Sequence, residues 1–170
     1  MKVLVTYSSK TGNTKKLAEG IFEGLEVADK QIMPMKEVTD LAAYDVVLAG
    51  YWVDKAGPNE EAKVFLQGLE NKVVGLFATL GFWPDSEHAW QSLCNGEALV
   101  KDKNKVIAKY ICQGKLDSKI IQMFEKLPQD NPHAVTPEKR KRYEIAANHP
   151  SKVDLLAGAE LFNERLKANV

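Results

Sequence analysis

Val3-Leu4-Val5-Thr6-Tyr7-Ser8-Ser9-Lys10-Thr11-Gly12-Asn13-Thr14 decides the reading of this chain. Its first five residues are an apolar, β-branched run, and the residues after it carry hydroxyls, an amide and a glycine. Leu17, Ala18, Ile21, Phe22 and Leu25 then fall on one face of a 3.6-residue helix. A polar loop between a strand and a helix sits where the helix's unpaired backbone N–H groups point. The helix dipole adds partial positive charge there, so the loop can hold a phosphate without arginine. Gly12 lets the backbone turn tightly against the anion. The plainer reading is a Ser/Thr-rich turn that only caps a helix, and the strand-loop-helix context favours the anion site. The loop has neither G-x-x-x-x-G-K-[ST] nor G-x-G-x-x-G spacing, which argues against nucleotide hydrolysis and a dinucleotide site.

Outward from this unit the pattern alternates. Val27–Met33 reads as a weak strand, and Asp45–Gly50 and Lys72–Thr79 as strands covered on both faces. Between the latter two lies a helix with Ala62, Phe65, Leu66 and Leu69 inward. Asp85–Leu99 is predicted as a helix burying Trp90, Leu93, Ala98 and Cys94, and Lys105–Cys112 as the last strand. Val153–Lys167 closes the chain as a helix with Leu155, Ala159, Phe162 and Leu166 on one face. A β-α-β-α-β-α-β-α-β order predicts an α/β fold: a parallel sheet, helices on both faces, right-handed crossovers. Residues 113–149 break the pattern. Leu116, Ile120, Phe124 and Leu127 suggest a helix, Pro128–Pro132 a turn, and Thr136-Pro137-Glu138 a second helix start. This inserted helical segment leaves the last strand at the carboxyl end of the sheet, where open α/β folds bind ligands.

With 170 residues, the chain is expected to form one domain, residues 1–170. Lys plus Arg and Asp plus Glu number 23 each, so no global field draws nucleic acid or an anionic membrane. No apolar run approaches the roughly 18 residues of a membrane span. Cys94 and Cys112 are isolated thiols that suit a reducing compartment, and Met1 leads directly into a strand, so a cytoplasmic protein is expected. His88, His133 and His149 share no metal-ligand spacing, and no Ser-His-Asp order or nucleophile elbow is visible.

Tyr7-Ser8-Ser9-Lys10-Thr11-Gly12-Asn13-Thr14, following the first strand, resembles the FMN-phosphate loop of the flavodoxin family. The resemblance implies a flavodoxin-like doubly wound five-stranded parallel sheet, order 2-1-3-4-5, with FMN at the switch point between the first and third strands. It implies that Ser9, Thr11, Asn13 and Thr14 bind the phosphate through side chains, and Lys10 and Gly12 through backbone N–H groups. Two further loops leave strand ends and suit a flat aromatic ligand: Tyr51, Trp52, Val53 and Asp54 after the third strand, and Thr79, Leu80, Gly81, Phe82 and Trp83 after the fourth. Trp52 resembles the inner stacking aromatic of the family, and Phe82 or Trp83 is the candidate for the second face.

Two features depart from the family. Flavodoxins are typically acidic and this chain is neutral. The 113–149 insertion follows the last strand, whereas the extra loop of long-chain flavodoxins interrupts it. Its run Lys139-Arg140-Lys141-Arg142 reads as a solvated helix face or as a docking patch for an acidic partner. Cys112-Gln113-Gly114 and Asn131–Pro137 resemble a small bacterial flavodoxin-like group associated with bilirubin reduction. The leading expectation is an FMN-binding electron carrier serving a redox partner protein, a reductase as donor or acceptor. An FMN-dependent NAD(P)H:quinone or flavin reductase is the alternative, although no clear arginine pair for an NADP phosphate is present. A module that has lost flavin is the third possibility, and the intact loop argues against it.

Overall fold

The computed structural model describes residues 1–169. In chain order its elements are β1 (Val3–Tyr7), α1 (Asn13–Gly24), β2 (Lys30–Pro34), β3 (Val46–Asp54), β4 (Gly57–Pro58), α2 (Glu60–Gln67), β5 (Val73–Leu80), α3 (Glu87–Ala98), β6 (Lys105–Gln113), α4 (Ser118–Glu125), α5 (Pro137–Ala146) and α6 (Lys152–Asn169). The sheet runs β2-β1-β3-β5-β6, all parallel, and β4 pairs antiparallel with the end of β3. Counting only the parallel strands, this is the expected 2-1-3-4-5 order; the short sixth strand is an addition. Among the described residues no helix is long and apolar enough to cross a membrane.

Strand alternation sends successive side chains to opposite faces. Val3, Val5, Leu48 and Phe77 pack against Leu17 and Ile21 of α1 and Phe162 and Leu166 of α6. Leu4, Val47, Ala49, Leu76 and Ala78 pack on the other side with Leu66 of α2 and Leu93 of α3. The first face is organised by two rings. Phe77 meets Phe162 edge-on, with centroids 6.3 Å apart. Glycines make room for both: a Cβ on Gly50 would lie 2.0 Å from the Phe77 ring, and one on Gly75 2.5 Å from Phe162. Asn163 of α6 also closes the C-terminus of α1, accepting from Glu26 N–H and donating to the Gly24 carbonyl, both at 2.9 Å.

Two expectations are corrected. The strict alternation fails between β2 and β3, where only one 3₁₀ turn (Met35–Glu37) forms. Met35, Val38, Leu41 and Tyr44 cover the core there from a loop, so burial is met without helical periodicity. Trp90 and Ala98 are not inward. Trp90 is 60% exposed, with the Lys109 ammonium 4.9 Å above its ring. The buried stripe of α3 is Ala89, Ser92, Leu93 and Gly96; of the expected residues Leu93 belongs to it, and Cys94 is half-buried. The small residues are required because Tyr51 presses on this helix: its hydroxyl donates to the Ser92 carbonyl at 3.0 Å, and a Cβ on Gly96 would lie 2.5 Å from it.

The insertion folds as expected. Thr136 accepts from Lys139 N–H, Pro137 occupies the first turn of α5, and Tyr143 and Ala146 are buried. Its two ends meet where Lys115 N–H donates to the His149 carbonyl at 3.0 Å. Behind this closure, Asp154 accepts from the His149 ring at 2.6 Å and from Ser151 N–H at 2.5 Å. Burial pushes the Asp154 carboxyl up, and the Ser151 and His149 hydrogen bonds outweigh it, holding the group below its ordinary value of 3.8. A carboxyl with a depressed folded value stabilises the fold above its unfolded pKa and loses that contribution as pH falls through the folded value. Urea midpoints of wild type and Asp154→Asn should therefore differ at neutral pH and converge below about pH 4. A gap that is constant down to pH 2 would show that the ionised carboxylate does not stabilise this closure.

Candidate functional site

The loop between β1 and α1 divides into scaffold and site. Ser8 is scaffold: its N–H donates to the Gly50 carbonyl at 2.9 Å, and its buried hydroxyl bonds Glu61 and accepts from Asn59 at 2.8 Å. Gly12 adopts φ 95°, a left-handed conformation that glycine takes without strain, and so turns the chain into α1. Its carbonyl accepts the first helical bond, from Lys16 N–H. The N–H groups of Lys10, Thr11, Asn13, Thr14 and Lys15 find no acceptor among the described residues. They converge on one end of the helix dipole, the physical requirement for an anion site.

Side chains tie this loop to its neighbours. Thr14 and Thr79 share a hydrogen bond of 2.9 Å between buried hydroxyls, joining α1 to the end of β5. The Asn13 amide donates to the Lys115 carbonyl at 2.8 Å, joining the loop to the insertion. Gly114 is required beside it, since a Cβ there would lie 2.7 Å from the Asn13 amide nitrogen. At the end of β3, Lys55 (φ 47°) and Ala56 (φ 61°) form a tight hairpin turn in a conformation these residue types rarely take. Asn95 holds it by donating to the Ala56 carbonyl at 2.7 Å, which fixes the strand segment Trp52–Asp54.

These elements enclose a cleft of about 520 Å³ at the carboxyl ends of β1, β3 and β5. Of the sequence-predicted residues, Ser9, Lys10, Thr11, Asn13, Thr14, Trp52, Val53, Asp54, Thr79, Leu80 and Gly81 line it. The Lys10 ammonium lies 5.4 Å from the Trp52 ring centre. Four do not line it. Gly12 lies behind the loop, its N–H donating to the Ser9 hydroxyl at 3.2 Å. Tyr51 is fully buried on the opposite face of the sheet, because residues 51 and 52 of a strand point to opposite sides. Phe82 and Trp83 stand outside, both more than a third exposed, and Phe82 carries the Arg142 guanidinium 4.6 Å above its ring. A larger hollow of about 590 Å³ lies beside Asn71, Lys72 and Lys105, at the amino ends of the strands and away from the helix N-terminus.

One wall of the cleft comes from the insertion, through residues that were not among the expected site residues: Lys115, Leu116, Asp117, Ile120, Phe124 and His133. The signal was present as the helical stripe Leu116-Ile120-Phe124. The insertion's start at the carboxyl end of the sheet left open whether it lies over the cleft, and the structure places α4 against it. α4 has no fully buried residue, so its apolar stripe faces the cleft rather than the core. The basic run is likewise redefined. The Lys139 ammonium donates to the Pro132 and Ala134 carbonyls, Arg140 pairs with Glu125 at 3.0 Å, and Arg142 lies on Phe82. Lys139 and Arg140 tie parts of the insertion to one another, Arg142 ties it to the loop after β5, and Lys141 stays exposed, so the run is more than a row of free cations. Cys112 is buried, which pushes its thiol well above the ordinary range and keeps it protonated.

The fold and site compare with known proteins as follows. A family model described as a flavodoxin domain matches residues 4–163. The chain is 33% identical over its whole length to a flavodoxin-like domain-containing protein, BilS, of Clostridioides difficile, covering 99% of that protein. That likeness bears out the narrower resemblance to the bilirubin-reduction group. Among solved structures, a flavoprotein of Lactobacillus acidophilus in complex with FMN superposes with a TM-score of 0.53 at 19% identity, over 65% of this chain and 92% of that one. The two-electron reduced flavodoxin of Megasphaera elsdenii gives 0.50 at 24% identity, over 86% and 98%. The strand order, the phosphate-type loop at the switch point and a family match across nearly all of the sequence agree: this chain belongs to the flavodoxin family.

Proposed function

We propose that this protein is an electron carrier that takes electrons from one redox partner protein and passes them to another through FMN held in the cleft. FMN is the cofactor, and it supplies the redox chemistry when bound. The observation that carries the reading is the set of acceptor-free N–H groups of Lys10, Thr11, Asn13 and Thr14, residues that line a cleft with apolar far walls. A phosphate dianion is satisfied by such donors, with the Ser9, Thr11 and Thr14 hydroxyls and the Asn13 amide beside them. Trp52 supplies a flat surface for one face of the ring. Leu116, Ile120 and Phe124 exclude water from the other side. We place the protein in the cytoplasm, a reading supported by the free thiols of Cys94 and Cys112.

The test is an anaerobic reductive titration of the FMN-loaded protein, followed by absorbance. Stoichiometric FMN and slow reduction by NAD(P)H alone are expected; a protein that stays colourless after FMN is added overturns the reading. One observation favours a second reading, an FMN-dependent NAD(P)H:quinone or flavin reductase. The insertion adds an apolar wall and an adjoining cavity beside the cleft. Fast NAD(P)H consumption with a quinone acceptor would decide for it.

The stacking role has its own expected result. Trp52→Ala should weaken FMN and riboflavin alike, by at least about 2–13-fold from a stacking contribution of ~0.5–1.5 kcal/mol. Indole fluorescence quenching on FMN binding should shrink in the variant. Unchanged affinity with undiminished quenching would move the role to another residue.

A further inference from the structure

Beyond the cleft, the insertion builds a second cavity of about 270 Å³ against the outer side of α4. It shares Gly81, Leu116, Phe124 and His133 with the cleft, so the two spaces adjoin through one wall. Its own walls are Phe82, Pro132, Lys139, Arg142 and Tyr143. The Arg142 guanidinium lies 4.6 Å over the Phe82 ring and 5.5 Å over the Tyr143 ring, which orients its planar fork. Arg142 makes no ion pair among the described residues, and its Nε is buried without an acceptor. No carboxylate lines the cavity. Lys139 adds a second cation, with two of its three N–H donors already taken by backbone carbonyls. An oriented, unpaired guanidinium in an aromatic enclosure is built for a flat anion that accepts two parallel hydrogen bonds.

We propose that this cavity is a binding site for a small organic carboxylate with a flat apolar body, held by Arg142 between Phe82 and His133 next to the cofactor cleft. The carboxylate takes the fork of Arg142, and the apolar body lies along Phe82 and Leu116. The enclosure is too small for a folded partner's surface and lies among side chains of the insertion, which commits the site to a small molecule. The proposal rests on the FMN reading only for its spectral readout; binding itself does not require the flavin.

The probe is trans-cinnamate, with cinnamamide as its neutral counterpart, titrated calorimetrically into FMN-loaded protein while the flavin absorbance is followed. Cinnamate is expected to bind at one site and perturb the flavin spectrum. The amide should bind about 10–150-fold more weakly, the loss of a charge-assisted hydrogen bond. Arg142→Gln should erase the difference between acid and amide, and Arg142→Lys should restore part of it. Lys141→Gln, on the exposed side of the same helix, is the control and should bind cinnamate as wild type does. Equal affinity for acid and amide in the wild type, which needs no variant to fold, overturns the proposal, as does discrimination that survives Arg142→Gln. FMN binding without cinnamate binding sinks this site and leaves the carrier reading intact. Cinnamate discrimination in a protein that refuses FMN does the reverse.

Discussion

Replacing Thr14 with alanine is expected to weaken FMN binding by about 10–150-fold while leaving riboflavin, which lacks the phosphate, nearly unaffected. Thr14 stands in the first turn of α1, and its hydroxyl is buried against Thr79 at 2.9 Å. A hydroxyl that accepts from Thr79 keeps its own proton for an anion, so the pair can relay a hydrogen bond toward the phosphate. A hydrogen bond to a charged acceptor contributes ~1.5–3 kcal/mol, which sets the size of the loss. The same geometry makes Thr79→Val a weaker copy of the effect, since it removes the relay and not the terminal donor. Affinities for both flavins, measured by fluorescence titration, check this. Equal losses for FMN and riboflavin would show that the loop does not read phosphate.

Phe162→Ala should lower the unfolding free energy by about 3–5 kcal/mol. Phe162 is fully buried and edge-on to Phe77, and with Leu166 it packs α6 against the sheet. The surroundings cannot close over the lost ring. The neighbouring sheet position is Gly75, and Gly50 on the adjacent strand is occupied by Phe77, so no side chain is free to move in. A site that cannot collapse keeps its cavity, and the cost lies toward the upper part of the range. Urea denaturation should show a lower midpoint with an unchanged slope. A loss below about 1 kcal/mol would mean that α6 is held mainly by its polar ties through Asn163 rather than by the ring.

The parallel core was legible because burial on both faces leaves a mark that needs no partner to be seen. Val46–Gly50 and Val73–Ala78 are continuous apolar runs, and the helical stripes of α1 and α6 lie at 3.6-residue spacing. The α3 stripe misled for a related reason. Leu93 is buried as expected, but Trp90 is not: beside Leu93 the helix meets the sheet through Ala89, Ser92 and Gly96, because Tyr51 fills the space that a further large side chain would need. Small residues chosen for close approach have no hydrophobic signature of their own. The same limit explains Tyr51, which reads as a site aromatic from its loop position and is turned into the core by the pleat.

The 2-1-3-4-5 strand order followed from the loop's resemblance to a family. What the sequence by itself determined is the strand-loop-helix unit of residues 3–25, the alternation of parallel strands and helices, and loop residues 9–11, 13 and 14 that line the cleft. All of these rest on contacts close in sequence or on burial patterns that recur along it. Tertiary structure alone decided three things: that α4 closes over the cleft, that Phe82 and Trp83 stand outside it, and that Lys139 and Arg140 tie parts of the insertion together while Arg142 lies on Phe82. Each depends on a contact made through space: Asn13 to Lys115, Arg140 to Glu125, and Lys115 to His149 across the whole insertion. A polar or half-exposed residue is compatible with solvent and with a partner alike, so only the folded chain selects between them.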